Sequence, residues 1–176
     1  MEIEVELRSF ITKEQYEYFL DFFRKNGKFL NEDEQETHYL STDQDLRIQK
    51  NNYYSKIWMK KGKIHDMQRE EIEVNYGKED FDKISKIFKE IGINTKIKWF
   101  RKRYTFDWDG TTVALDYTKG YGYIIEFEIL SSNDNKDSTL EILKQKMNLL
   151  EIPLTPKENF DKAYNYYKEN WEQLTK

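Results

Sequence analysis

The run Glu2-Ile3-Glu4-Val5-Glu6-Leu7-Arg8 constrains this chain more than any other segment. Side chains of a strand alternate between faces, so Glu2, Glu4, Glu6 and Arg8 share one side and Ile3, Val5 and Leu7 the other. Three carboxylates stacked on one face repel each other. Folding alone does not call for that, so water, basic side chains or a divalent cation must offset it. The pattern recurs. Arg69, Glu71 and Glu73 share a face, opposite Glu70, Ile72 and Val74. Arg101 and Arg103 share a face, Glu126 and Glu128 alternate with Ile125, Phe127 and Ile129, and Arg47 alternates with Leu46 and Ile48.

Such two-sided strands need cover on their apolar side, and four amphipathic helices are available to supply it. Thr12 and Gln15 form a capping box ahead of Tyr16, Phe19, Leu20 and Phe23, and Asn26-Gly27 stops that helix. A second helix runs from about Glu79 to Gly92, with Phe81, Ile84, Phe88 and Ile91 on one stripe. Ser138 and Glu141 predict a capping box for a third. Thr155, Pro156 and Glu158 predict the start of a fourth, with Phe160, Ala163, Tyr164, Tyr167 and Trp171 on its stripe. Strands are expected at 2–10, 36–42, 45–50, 53–61, 67–75, 97–107, 111–117 and 122–130, with Asp109-Gly110 as a hairpin turn. Short connections make the strands antiparallel.

With helices on the apolar side, the charged side faces either water or itself. Eight strands suffice to close a barrel, which removes the sheet edges. The expected fold is therefore α+β: an eight-stranded antiparallel tunnel with a charged lumen and helices packed outside, one domain over residues 1–176. Charges in a lumen are costly unless paired or coordinating a ligand. Glu4, Glu6, Glu71, Glu73, Asp116, Glu126 and Glu128 face Arg8, Arg47, Lys60, Arg69, Arg101 and Arg103, a net charge of −1. Two divalent cations would turn that to about +3, close to the roughly four negative charges of a triphosphate chain. Oxygen-only ligands suit Mg²⁺ or Mn²⁺, and arginine forks match phosphate oxygens.

Composition narrows the classes. The net charge of −4 argues against a protein held on nucleic acid by bulk charge. The absence of cysteine excludes disulfides, thiolate metal sites and cysteine nucleophiles, and fits a reducing cytoplasm. No apolar stretch has membrane-spanning length and no signal-peptide pattern precedes the first strand, so a cytoplasmic protein without membrane partners is expected. A homodimer is left open.

In order along the chain, these motifs resemble the CYTH, or triphosphate tunnel metalloenzyme, superfamily. Glu4-Val5-Glu6-Leu7-Arg8 resembles its ExExK signature and Leu46-Arg47 its LR strand. Lys60-Lys61-Gly62 resembles its lysine-glycine strand end, and Arg69-Glu70-Glu71-Ile72-Glu73 its RxExE strand. Arg101-Lys102-Arg103-Tyr104 resembles its basic strand, and Asp116, Gly120-Tyr121-Gly122 and Glu126-Phe127-Glu128 its closing acidic motifs. No single motif is specific, but the ordered set spans nearly the whole chain. The resemblance implies a tunnel that binds a triphosphate with Mg²⁺ or Mn²⁺. It implies metal at Glu4, Glu6, Glu126 and Glu128, with Asp116 as a further ligand. Arg8, Arg47, Lys60, Arg69, Arg101 and Arg103 would grip phosphates, Glu71 and Glu73 would support the lumen, and Glu4, Glu6 and Arg8 would form the catalytic set. Strand parity favours Lys60 as the inward lysine, while the adjacent glycine favours Lys61.

Two departures stand out. Arg8 replaces the family's lysine and, unlike lysine, stays charged, so it reads as a clamp rather than a base. Gln49 stands where many members carry a second arginine. Three functions follow. The first is a metal-dependent hydrolase of tripolyphosphate, thiamine triphosphate or a nucleotide. The second is a class IV-like adenylyl cyclase, for which Trp58 is an inward stacking candidate. The third is a non-catalytic polyphosphate-binding module. His38 and His65 read as surface or loop residues, Tyr53-Tyr54 and Tyr164, Tyr166 and Tyr167 as packing residues, and Lys157 as solvent-exposed.

Overall fold

A computed structural model describes residues 2–61, 68–69 and 71–176. Gly62, His65 and Glu70, and the side chains of Glu2, Gln68 and Arg69, lie outside what is described. The chain runs β1 (Glu2–Ile11), α1 (Lys13–Asn26), β2 (Lys28–Leu40), β3 (Asp45–Lys50), β4 (Ser55–Lys60), β5 (Gln68–Arg69) and β6 (Glu71–Tyr76). A 3₁₀ turn (Lys78–Asp80) leads into α2 (Phe81–Glu90), followed by β7 (Thr95–Trp108), β8 (Thr111–Thr118), β9 (Gly122–Ser132), α3 (Lys136–Leu149) and α4 (Lys157–Leu174).

The strands form one antiparallel sheet in the order β5-β1-β9-β8-β7-β2-β3-β4-β6. Its two ends, β5 and β6, are separated by a single residue in the chain, so the sheet curls round on itself. β4 hands over to β6 and β5 to β1, with Glu4 opposite Arg69. Counted by hydrogen bonding, the described residues form nine strands. The expected strand at 67–75 corresponds to the two short ones, and the sheet is not strictly closed, since no β6–β1 ladder forms among the described residues. Among the described residues no helix is long and apolar enough to cross a membrane.

Apolar strand faces point outward, and the helices cover those of β1, β7, β8 and β9 in the main, while Ile72 and Val74 of β6 stay exposed. Val5, Leu7, Phe106, Val113, Leu115, Ile125 and Phe127 pack with Phe19 and Phe23 of α1 and Leu143 and Met147 of α3. Phe23 is fully buried, its ring 5.9 Å from Phe106, 5.6 Å from Trp108 and 6.3 Å from Phe127. Burying one such ring stabilises the fold by roughly 1.5–3 kcal/mol. A second cluster seats Phe81 of α2 on Leu40 and Ile48.

Local signals hold where their side chains stay local. The Thr12 hydroxyl accepts from Gln15 N–H, and Gln15 Oε1 accepts from Thr12 N–H. Asp109 and Gly110 both take positive φ, the two-residue hairpin turn joining β7 to β8. Three expectations need correction. β2 begins at Lys28, eight residues before the expected strand, because Lys28–Gln35 lacks alternation yet pairs along β7. α3 starts at Lys136 with no side-chain cap, and the Ser138 hydroxyl donates to Asn135 O. α4 also lacks a side-chain cap, since Thr155 Oγ1 accepts from Phe10 N–H and bonds the Ser9 hydroxyl instead. That bond ties the approach to α4 onto β1.

Candidate active site

The charged strand faces enclose a cavity of about 350 Å³. Glu4, Glu6 and Arg8 enter from β1, Arg47 and Gln49 from β3, Lys56, Trp58 and Lys60 from β4, and Glu71 from β6. Arg101 and Arg103 enter from β7, Asp116 from β8 and Glu126 from β9. α4 lies across one end. Phe160 stacks on Phe10 at 4.5 Å, Tyr164 meets Tyr39 at 6.1 Å, and both helical residues line the cavity. The turn before β9 supports this plug. Gly120 has φ +77°, and a Cβ there would come within 2.6 Å of Leu174 on α4.

One wall is basic and tightly paired. Arg103 donates from Nε and Nη2 to both oxygens of Asp116 at 2.7 Å, and Nη2 also reaches Glu126 at 3.0 Å. Arg101 reaches Asp116 at 3.3 Å, but its closer partner is the amide oxygen of Gln35, at 2.8 and 2.6 Å. Arg47 is held bidentately by Asp45 at 2.7 and 2.6 Å and lies 4.3 Å over the Tyr39 ring. Burial alone would raise the Glu126 carboxyl, but Arg103, then Arg101 and Arg8, bring it down to about 2. Desolvation and the neighbouring Arg103 push Arg101 downward.

The opposite side is acidic and crowded. Burial pushes Glu6 up to about 7, helped by the charges of Glu126 and Glu4 against the pull of Arg8 and Lys60. Burial, the charge of Glu4 and a hydrogen bond with it push Glu128 up to about 8. Lys60 bridges to Glu71 at 3.0 Å and Glu4 at 3.5 Å. Its affinity for a proton is raised by Glu4, Glu6 and Glu71 despite the cost of burial. Arg8 is 3.8 Å from Glu6 and 5.1 Å over the Phe160 ring.

These placements distinguish the candidates. Lys60 points inward and Lys61 is exposed. Glu73 pairs with Lys56 at 2.5 Å near the rim. Gln49 is buried and donates to Thr37 at 2.8 Å, and its register partner is Lys56, a cation the sequence reading did not count. Gln35, Asp33 and Asp45 were also missed. The parity of Trp58 and Lys60 would have found Lys56, but no alternation marks the first half of β2. Contrary to expectation, His38 is buried beneath α2, bonded to Glu36 at 2.8 Å with its ring 5.0 Å from Phe81. It faces away from the tunnel because β2 turns Thr37 and Tyr39 inward.

A divalent cation fits the donor chemistry of the acidic side. Glu4, Glu6 and Glu128 offer only oxygen, and the raised proton affinity of Glu6 and Glu128 is what a bound cation would reverse. Asp116 and Glu126 are engaged by Arg103, so a metal would compete with guanidinium for them. Among the described residues no three acidic or histidine side chains form a ready-made cage. A bound ion would therefore take part of its shell from water or ligand oxygens, as Mg²⁺ commonly does.

The fold finds its counterpart in known proteins. A CYTH domain model matches residues 2–164, and the chain belongs to the CYTH family. Among solved structures, a conserved hypothetical protein from Pyrococcus furiosus superposes with a TM-score of 0.74 at 24% identity, over 85% of this chain and 91% of that one. Two proteins named "putative adenylate cyclase" share the fold. That from Vibrio parahaemolyticus has a TM-score of 0.65 at 18% identity over 80% and 84% of the two chains. That from Bacillus halodurans has 0.62 at 16% over 88% and 92%. No curated protein sequence matches the chain.

Proposed function

We propose that the chain is a divalent-metal-dependent hydrolase of a triphosphate-containing small molecule. The observation that carries this is the division of one tunnel into a crowded carboxylate side and an arginine-rich side. The two face a cavity of about 350 Å³. A triphosphate with its cation is the ligand class that satisfies both. Held by Glu4, Glu6 and Glu128, Mg²⁺ or Mn²⁺ would neutralise phosphate charge and act as a Lewis acid.

The chain's own groups do the rest. Arg8, Arg47, Lys60, Arg101 and Arg103 grip and orient the phosphates, with Arg69 as a further candidate, and stabilise charge that builds on the leaving oxygens. Lys56 adds a cation where Gln49 supplies none. Glu71 holds Lys60 and Glu73 holds Lys56, which keeps both ammonium groups aimed. Arg8 works as a clamp rather than a base. The aromatic plug of Phe10, Phe160 and Tyr164 limits how deep the ligand goes and keeps bulk water from that end. Water attacks the terminal phosphorus, the bridging bond breaks, and orthophosphate leaves with the shortened chain. No covalent enzyme intermediate is needed.

A cyclase reading has one specific support. Trp58 lines the tunnel beside Arg47, with its ring 5.6 Å from that guanidinium, which suits a base next to a phosphate chain. Phosphorus NMR separates the readings. With Mg²⁺ or Mn²⁺, the expected result is orthophosphate with diphosphate from tripolyphosphate, or with a nucleoside or thiamine diphosphate. Pyrophosphate with a cyclic monophosphate from ATP would establish the cyclase. Binding of tripolyphosphate without turnover of any of these would leave a polyphosphate-binding module.

A further inference from the structure

Three arginines of the basic wall are not held alike. Arg47 is matched by the carboxylate of Asp45, and Arg103 by those of Asp116 and Glu126. Arg101 is cradled mainly by a neutral amide, with both Nε and Nη2 on Gln35 Oε1 and Asp116 farther off at 3.3 Å. An arginine whose closest partner carries no charge keeps more of its field for a ligand. An arginine fully matched by carboxylate has much less to offer.

Gln35 is itself locked. Its Nε2 donates to Asp33 Oδ2 at 2.8 Å, and the other oxygen of Asp33 accepts from Asn52 N–H at 2.9 Å. The amide can be oriented only one way, since a guanidinium needs an acceptor and a carboxylate needs a donor. A carboxylate at position 35 would neutralise Arg101 and repel Asp33. A lysine or an apolar residue would leave the guanidinium without its acceptor. Asp33 is buried, so this chain of bonds from the β3–β4 turn to the tunnel is anchored at its far end.

We propose that Gln35 is a positioning residue that holds Arg101, less fully matched by carboxylate than Arg47 or Arg103, as the principal polyanion grip of the tunnel. This rests on the triphosphate reading of the site. It predicts that the phosphate chain docks first against Arg101, with Arg103 and Arg47 adding to the grip while they also hold the wall together.

The test is calorimetric titration with tripolyphosphate, metal-free and with Mg²⁺, alongside thermal unfolding. The decisive variant is Asp33→Asn combined with Gln35→Glu. The new amide at position 33 still accepts from Asn52 N–H and can donate to the new carboxylate at position 35. The chain of hydrogen bonds survives with one link reversed, and Arg101 is neutralised. The expected result is a folded protein that binds tripolyphosphate at least about ten-fold more weakly, the scale of one charge-assisted hydrogen bond. Adding Arg101→Ala to that background should cost little more, whereas Arg101→Ala alone should cost about as much as the double change. A purely structural role would leave the two effects additive. Wild-type affinity in the folded double variant overturns the proposal. Should that variant fail to fold, Gln35→Ala decides it: about three-fold weaker binding supports the proposal and unchanged binding overturns it. Absence of any binding by the wild-type chain under either condition overturns the triphosphate reading, a distinct result.

Discussion

Glu126 and Glu128 sit two residues apart on the same face of β9, and their environments drive them in opposite directions. Glu126 meets Arg103 at 3.0 Å and is held down to about 2. Glu128 meets Glu4 instead and is pushed up to about 8. One strand thus carries a carboxylate whose charge is already matched and another whose charge awaits a cation. The same contrast divides the tunnel. The Arg103–Asp116–Glu126 cluster is satisfied within the protein, and Arg101, the side of β1 and the end of β9 are less fully matched. Stability resides in the first and binding capacity in the second, because matched charges hold structure and unmatched ones hold ligands.

The largest break in this contrast comes from the satisfied wall. Asp116→Ala strips Arg103 of a bidentate partner and Arg101 of a second one, leaving guanidinium groups poorly paired beside a nearly inaccessible site. Denaturant unfolding of the metal-free protein should show a loss of about 3–5 kcal/mol. On the unsatisfied side the effects separate. Glu6→Gln should reduce metal-dependent turnover by at least about 100-fold, the upper range for disturbing even the outer partners of a metal. It should leave the unfolding midpoint unchanged or raised, because a repelling charge is gone.

Glu128→Gln sharpens the comparison further. It should stabilise the metal-free protein at pH 8 by about 1–2 kcal/mol, after allowance for solvent screening. Its counterpart Glu126→Gln should destabilise by a similar amount.

The smallest effect is the pH profile. Glu6 and Glu128 have raised affinities for protons in the folded state, so their contribution is most favourable below the unfolded value of 4.5. It is lost as pH rises through about 7 and 8. The metal-free melting temperature should therefore fall by a few degrees, roughly, between pH 5 and pH 8. Saturating Mg²⁺ should flatten that fall. Glu126 acts in the opposite sense, contributing above 4.5 and losing its contribution only as pH drops through about 2. A metal-free protein equally stable at pH 5 and pH 8 would refute the crowding of the acidic side.

The two sides were not equally legible in the sequence. Inward residues of β1, β4 and β9 could be read by parity because their charged segments alternate with apolar residues, and Lys60 follows Trp58 into the lumen; on β7 the shared face of Arg101 and Arg103 was the signal, although Lys102 also charges the outer face. The first half of β2 could not. Asn31 to Glu36 is polar on both faces, because its outer face also lies in a polar setting where Glu32 meets Lys102 at 2.7 Å. Asp33 and Gln35, the residues that anchor Arg101, were invisible for that reason. His38 was misread because the ring that covers it, Phe81, comes from a helix over forty residues away, while Glu36 beside it is only partly buried.

The capping boxes show the same limit at short range. Thr12 caps its helix because the partners of its hydroxyl, Gln15 N–H and the Glu14 carboxylate, both lie in the helix's first turn. Thr155 does not, because β1 supplies Ser9 and Phe10 N–H as partners.

Alternation and helical periodicity, both properties of consecutive residues, determined by themselves that this chain makes two-faced strands covered by helices and turns its charges to a common side. Only the tertiary structure decided which charges meet. Arg103 finds Asp116 across a strand pair, Arg101 finds Gln35, and Glu128 finds Glu4. Pairing depends on register and side-chain reach between strands distant in the chain, and in a low-dielectric tunnel a shift of a few ångströms separates a held charge from an open one.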